Sequence, residues 1–392
     1  MRVGSAWLEG ADAIGGNGRR PSRQGCRVVG IGTALPGQRI SNSDIEQFLD
    51  TSDEWIQSRT GIRERRVAEP DLTLLELAAR AARAALSAAA VDPSEVDTII
   101  CSSSSPDSTF PSLACRLQAD LGSPLGAAFD LQAACSGALY GVALAQSMIQ
   151  SGLSRTVLVV GAEIFTRVVD WSDRSTAVLF GDGAGAFLVR DHDHDGAEIL
   201  EIELGADGQG AWALDTVTFT PPDSASPPPP LPEFASGTRA LDRVIQMNGR
   251  EVFRFSTKIL EQVVVRLSAA AGIEPNEIAL IVPHQANSRI LATAAGRLGL
   301  AFERFVCNVD RLGNTSSASI PLALAEAARE GRCHDGELVG LVAFGAGLTW
   351  GGVLLRWHPT AVGVDDPSAP ALDRGAGDRE QFASPDHQEV PG

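Results

Sequence analysis

The chain has 392 residues, 44% of them hydrophobic, enough to bury a large core and to build two or three domains. Acids outnumber bases by 49 to 32, the net charge is −17, and Lys258 is the only lysine. No basic field covers such a molecule, which argues against nucleic acid as a general partner. No apolar run reaches the ~18 residues of a membrane span, and the six cysteines form no CxxC pair. With no signal peptide in the sequence, a reduced, cytoplasmic setting without a disulfide framework is expected.

Residues 1–25 lack periodicity and are rich in Gly, Arg and Ser, so they read as a flexible extension. "RVVGIGTALP" gives a strand and a turn, and the globular body starts at Cys26. From Leu86, "LSAAAVDPSEVDTIICSSS" reads as a helix end, a Pro-Ser-Glu turn and a buried strand. "FDLQAACSGALYG" (129–141) then sets Cys135 among small residues, where an apolar run passes into a helix. "FGDGAGA" (180–186) lacks the lysine of a phosphate-binding loop and reads as close backbone packing. His192 and His194 in "RDHDHDG" are spaced like metal ligands, but an Asp/His surface loop is the plainer reading.

"FTPPDSASPPPPLP" (219–232) must be a loop, because so many prolines fit neither a helix nor a central strand. "GREVFRFSTKILEQVVVRL" follows as a helix with Arg250, Arg254 and Lys258 on one face. "LSAAAGIEPNEIALIVPHQ" starts at Leu267, and "GNTSSAS" opens another Ala-rich helix. After "GGVLLRW" the polar, Pro-rich stretch 359–392 is expected to be disordered.

The segments from Leu86 and Leu267 resemble each other, as do "ACSGALYGVALAQSMIQSG" and "NTSSASIPLALAEAAREG", both offset by about 180 residues. This indicates two similar α/β halves, 26–195 and 196–358, with sheets and crossover helices. Packed together, they bring equivalent loops to the centre, so Cys135, His284 and Asn314 converge on one pocket. Inert packing, a disulfide, a metal site or nucleophilic catalysis would each use a cysteine. At a helix N-terminus its pKa is expected to be lowered, which favours the nucleophile. A core histidine or an ordinary turn asparagine are the plain alternatives for His284 and Asn314. Beside Cys135 they offer two neutral donors for a developing oxyanion.

Seven blocks carry a family resemblance: "TSDEWIQSRTGIRERR" (51–66), "FPSLACRLQADLG" (110–122), "AACSG" (133–137), "DRSTAVLFGDGAGA" (173–186), "VPHQANSRI" (282–290), "GNTSSASIPLAL" (313–324) and "AFGAGLTWGG" (343–352). The chain resembles the β-ketoacyl-acyl carrier protein synthase III family, among the thiolase-fold condensing enzymes, over residues 26–358. The resemblance implies a duplicated, five-layer αβαβα fold and a Cys135–His284–Asn314 triad. Cys135 would take an acyl group from coenzyme A, and His284 and Asn314 would assist decarboxylation of malonyl-acyl carrier protein. The N–H groups of Cys135 and Ala346 would form a second oxyanion hole. No cofactor is implied, since both thioesters are substrates. An acyltransferase that does not decarboxylate, and a non-catalytic partner subunit, are the competing readings; the intact triad argues against the second.

The resemblance also assigns Trp55, Arg59, Arg174 and Asn287 to the coenzyme A channel, and Phe110 and Phe180 to the acyl pocket. It implies a homodimer in which Phe110 reaches the neighbour's pocket. Acyl carrier proteins are acidic, and without its two terminal extensions the body still stands at −14. Docking therefore needs a local basic patch, for which Arg250, Arg254, Lys258, Gln285, Arg289 and Arg297 are the candidates.

Overall fold

The computed structural model describes residues 25–218 and 243–365. The Pro-rich loop 219–232, the extension before Gly25 and the tail beyond Asp365 lie outside the described residues.

The first half runs β1 (Cys26–Ala34), β2 (Gln38–Ser41), α1 (Asn42–Glu46), α2 (Asp53–Thr60), β3 (Glu64–Val67), α3 (Leu74–Ala88), β4 (Thr98–Ser102), α4 (Leu113–Leu121), β5 (Ala127–Leu131), α5 (Gly137–Gln150), β6 (Thr156–Glu163), α6 (Arg174–Ala177) and β7 (Gly183–Asp191). The second half answers it. It runs β8 (Ala197–Ala206), β9 (Leu214–Thr218), β10 (Arg243–Met247), α7 (Gly249–Ala271), β11 (Leu280–Pro283), α8 (Ser288–Leu298), α9 (Val309–Leu312), α10 (Ser319–Arg329), β12 (Leu338–Gly345), β13 (Thr349–Arg356) and β14 (Ala361–Asp365).

Helix α3 shows how the sequence dictates an element. Thr73 caps its first turn, and Leu74, Leu77, Ala78, Ala81, Ala82 and Ala85 form one buried face at helical spacing. The small size of the alanines lets the backbones close up: a Cβ on Gly32 of β1 would lie 2.1 Å from the Ala81 carbonyl oxygen.

The main strands form one ladder, β11-β12-β13-β8-β1-β7-β6-β4-β5. The two half-sheets meet where β8 pairs with β1 over Cys26–Val28. Helices α3 and α4 pack on one outer face and α7 and α8 on the other, while α5 and α10 lie between strands of both halves. This is the αβαβα layering of the thiolase-like fold.

The repeat is visible in backbone geometry. Pro93 and Pro275, and Ala134 and Ser316, are each 182 residues apart. Ala134 and Ser316 share a left-handed φ of 48°, and each begins the 3₁₀ turn that opens a central helix. Cys135 therefore has Ser317 as its counterpart, and His284 has Ser102.

The expected boundary at 358 is corrected here. Ala361–Asp365 forms β14, which pairs in parallel with Gly30–Ala34 of β1. Its backbone finds partners on a strand already fixed in the core, so an acidic, Pro-rich context does not keep it out of the sheet.

Candidate active site

Cys135 sits in a turn that leaves no room for larger neighbours. A Cβ on Gly137 would lie 1.7 Å from Ser102 Oγ, and one on Gly345 would lie 2.7 Å from the Cys135 nitrogen. Thr349 Oγ1 donates to the Ala133 carbonyl at 2.9 Å, tying the start of β13 to the cysteine turn. The segment carrying Ala346 is thereby held against Cys135; the flanking Gly345 and Leu348 line the same cavity as the thiol.

That cavity measures about 610 Å³, and Cys135, His284 and Asn314 all line it. His284 leaves the end of β11 with its N–H bonded to the Val342 carbonyl at 2.8 Å. Its ring stands edge-on to Phe344 at 5.1 Å, and Nδ1 lies 2.7 Å from Ser319 Oγ on α10. Asn314 follows the α9 turn, and its side-chain oxygen accepts the Ser316 N–H at 2.9 Å. The Asn314 amide nitrogen is thus left for the cavity.

Burial sets the protonation of the site. It pushes the Cys135 thiol up to about 12, and the buried Glu163 carboxylate adds to the rise. Ser316 and Cys135's own N–H pull the other way, Ser316 more than Glu163 pushes, but burial outweighs them. The expected low thiol pKa is therefore corrected: enclosure in the cavity outweighs the helix terminus, and the resting group is a thiol. Desolvation drives His284 down to about 3, so its imidazole is neutral.

At the cavity mouth, the Arg174 guanidinium lies 4.7 Å above the Trp55 ring and donates to the Asp50 carbonyl. Arg59 also lines the cavity, and its carbonyl accepts from Asn287 Nδ2 at 2.9 Å. Ser288 Oγ donates to Thr60 O, so the end of α2 is fastened to the start of α8. Asn287 thereby joins the Trp55 helix to the His284 segment across the two halves.

Phe180 is buried in the cavity wall, its ring tilted against that of Phe165 at 5.0 Å, and its backbone bridges to Asn314. Phe110 does not line this cavity; it is 84% exposed.

Arg250 and Arg289 line the mouth, Arg289 lying 5.7 Å from the Phe253 ring. Arg254 pairs with Glu251 and Arg297 with Glu261, so acids on α7 offset part of the basic patch. Lys258 is half-buried on α7. Gln285 is corrected. Its amide donates to Pro283 O and Val306 O and accepts from Asn308 N and Val309 N inside the protein, so it cannot meet a partner's surface.

Sequence reasoning missed Ser319 and Glu163. Ser319 lies in the quoted "GNTSSAS" run, but nothing in that run marks it as His284's partner. Glu163 accepts from Ser105 Oγ at 2.7 Å and Ser317 Oγ at 2.9 Å, joining the two halves beneath the cysteine turn. His194 pairs with Asp191, and among the described residues no group of three or more His, Cys, Asp or Glu is arranged to hold a metal. Among those residues no helix is long and apolar enough to cross a membrane.

Two family profiles match the chain: 3-oxoacyl-[acyl-carrier-protein] synthase III over residues 129–208, and the C-terminal part of the same family over 268–357. A β-ketoacyl-[acyl-carrier-protein] synthase III from Symbiobacterium thermophilum is 47% identical over 330 residues, covering 84% of this chain and 97% of that protein. The chain belongs to the β-ketoacyl-acyl carrier protein synthase III family. It is a condensing acyltransferase of the kind that primes fatty-acid synthesis.

Solved synthase III structures agree. The one from Aquifex aeolicus is 42% identical with a TM-score of 0.76, covering 85% of this chain and 100% of its own. A priming β-ketosynthase from the R1128 polyketide pathway is 35% identical with a TM-score of 0.75, covering 88% and 100%. Both structures share the thiolase-like layering described above.

Proposed function

We propose that Cys135 is the nucleophile of this synthase III and that His284 and Asn314 are its two oxyanion donors. One observation carries the reading: a thiol, a neutral imidazole and a free amide nitrogen line one enclosed cavity of a synthase III fold.

In the first step the thiol attacks an acyl-coenzyme A carbonyl. The acyl carbon–sulfur bond to coenzyme A breaks, and the thiol proton ends on the departing sulfur. Trp55, Arg59 and Arg174 meet the nucleotide end of that thioester. The N–H groups of Cys135 and Ala346 take the negative charge on the carbonyl oxygen.

In the second step malonyl-acyl carrier protein replaces coenzyme A. Its C2–carboxylate bond breaks, carbon dioxide leaves, and the electron pair becomes an enolate whose oxygen rests between His284 and Asn314. The enolate carbon attacks the acyl-cysteine, giving the 3-oxoacyl thioester, and the Cys135 thiolate regains a proton from solvent. Neutral donors suit this step, because they stabilise the enolate without protonating it. Arg250, Arg254, Lys258, Arg289 and Arg297 supply the positive surface an acidic carrier protein needs.

The working unit is a homodimer. Strand β5 ends the sheet, with one edge unpaired among the described residues, and exposed Phe110 and Leu125 lie in the segments flanking α4, which leads into it. Phe110 then caps the acyl pocket of the partner subunit.

Separating the half-reactions tests the reading. His284→Ala is expected to acylate Cys135 yet release carbon dioxide from malonyl-acyl carrier protein on the order of 100-fold more slowly. Undiminished decarboxylation would remove His284 from the step.

A further inference from the structure

We propose that Ser319 is a positioning residue: its hydroxyl donates to His284 Nδ1 and so holds the ring in the tautomer whose proton is on Nε2. This rests on the reading of His284 as an oxyanion donor, because only a ring with a proton on its cavity-facing nitrogen can donate there.

A neutral imidazole carries one proton, and the partner of one nitrogen decides where the other nitrogen holds it. Nδ1 is committed to Ser319 Oγ at 2.7 Å, so Nε2 is the nitrogen left for the cavity. Two arrangements fit that distance. In one, Nδ1–H donates to Ser319, and the serine proton needs an acceptor of its own. Ser319 is 1% exposed, and among the described residues its Oγ has no second partner. That proton would be buried unpaired, at the full cost of its desolvation. In the other, the serine proton is spent on Nδ1, and Nε2–H faces the cavity where a substrate oxygen arrives. The second arrangement leaves no polar hydrogen stranded.

The helix adds to the same preference. Ser319 is the first residue of α10, an 11-residue helix, so its hydroxyl holds Nδ1 beside the positive, N-terminal end of that helix. A lone pair on Nδ1 is favoured there and an N–H is opposed. Ser102, the repeat counterpart of His284, packs instead on Gly137, which has no hydroxyl. The serine–histidine pair is therefore built on one side only of the internal two-fold, the side that holds the imidazole.

Nitrogen NMR of the 392-residue protein labelled with ¹⁵N-histidine tests this directly, with His284→Asn identifying the signals. The wild-type ring is expected to show its proton on Nε2 alone. Ser319→Ala is expected to show an Nδ1–H population and to lose about 10-fold or more in decarboxylation of malonyl-acyl carrier protein. Its self-acylation by acyl-coenzyme A should stay within about twofold of wild type, and Ser319→Thr should recover both the spectrum and the decarboxylation. A wild-type ring with its proton on Nδ1 would overturn the proposal without any variant. So would a Ser319→Ala protein that keeps the Nε2 tautomer and full decarboxylation. The underlying reading fails separately: if His284→Ala decarboxylates normally, His284 is not the donor, while the ring spectrum still judges Ser319.

Discussion

The side-chain oxygen of Asn314 accepts the Ser316 N–H at 2.9 Å, which aims the Asn314 amide nitrogen at the cavity shared with Cys135. The contact does two things at once: it closes the turn before α10 and sorts the two ends of the amide by function.

Asn314→Asp separates those roles. It keeps the oxygen that closes the turn and replaces the donor with an acceptor. Decarboxylation is expected to fall on the order of 100-fold or more, while mass spectrometry of the unfractionated protein should still detect acyl-Cys135. Equal loss of both half-reactions would mean that Asn314 shapes the turn and has no separate part in the chemistry.

Protonation of His284 carries a second expectation. Burial lowers its pKa from 6.5 to about 3, so between these values the unfolded chain binds a proton that the folded chain refuses. The stability from keeping the ring neutral is therefore complete above about pH 6.5 and is lost as pH falls toward 3, by at most about 1.4 kcal/mol per pH unit. Urea unfolding at a series of pH values should show wild type losing stability relative to His284→Asn over this window and not above it. A wild type that gains on acidification would require a charged imidazole in the folded site.

Docking should respond to charge reversal at the mouth. Arg254→Glu with Arg289→Glu is expected to raise the apparent KM for malonyl-acyl carrier protein several-fold and to flatten its salt dependence. Acylation by acyl-coenzyme A should change less. Similar losses in both steps would make the patch structural.

Phe110 is tested by primer range. In a dimer that lends Phe110 to the neighbouring pocket, Phe110→Ala should extend the accepted acyl chains, read from a panel of acyl-coenzyme A thioesters. A monomer in light scattering, or an unchanged panel, would place the end wall of the pocket elsewhere.

Much of this was legible in the chain. The duplicated segments point to Cys135, His284 and Asn314 meeting in one cavity, as they do, because a repeat fixes which loops meet at the centre. Gln285 shows the limit. It adjoins His284 in a motif, yet neighbours in an extended segment face opposite ways, and its amide is consumed inside by Pro283, Val306, Asn308 and Val309. The acidity of Cys135 was misjudged for a similar reason: a helix start is written in the sequence, whereas the enclosure that raises the pKa is made by distant residues. Strand β14 was missed because five residues with an acidic end owe their order to β1 more than to their own pattern.

The most direct measurement is the address of the acyl group. The 392-residue protein is incubated with acyl-coenzyme A, digested, and its peptides are mapped by mass. The acyl mass is expected on the peptide holding Cys135, retained when the exposed Cys115 is changed to Ala and absent in Cys135→Ala. An acyl group on any other residue, or one that persists in Cys135→Ala, would contradict the assignment of the nucleophile and with it the site built around it.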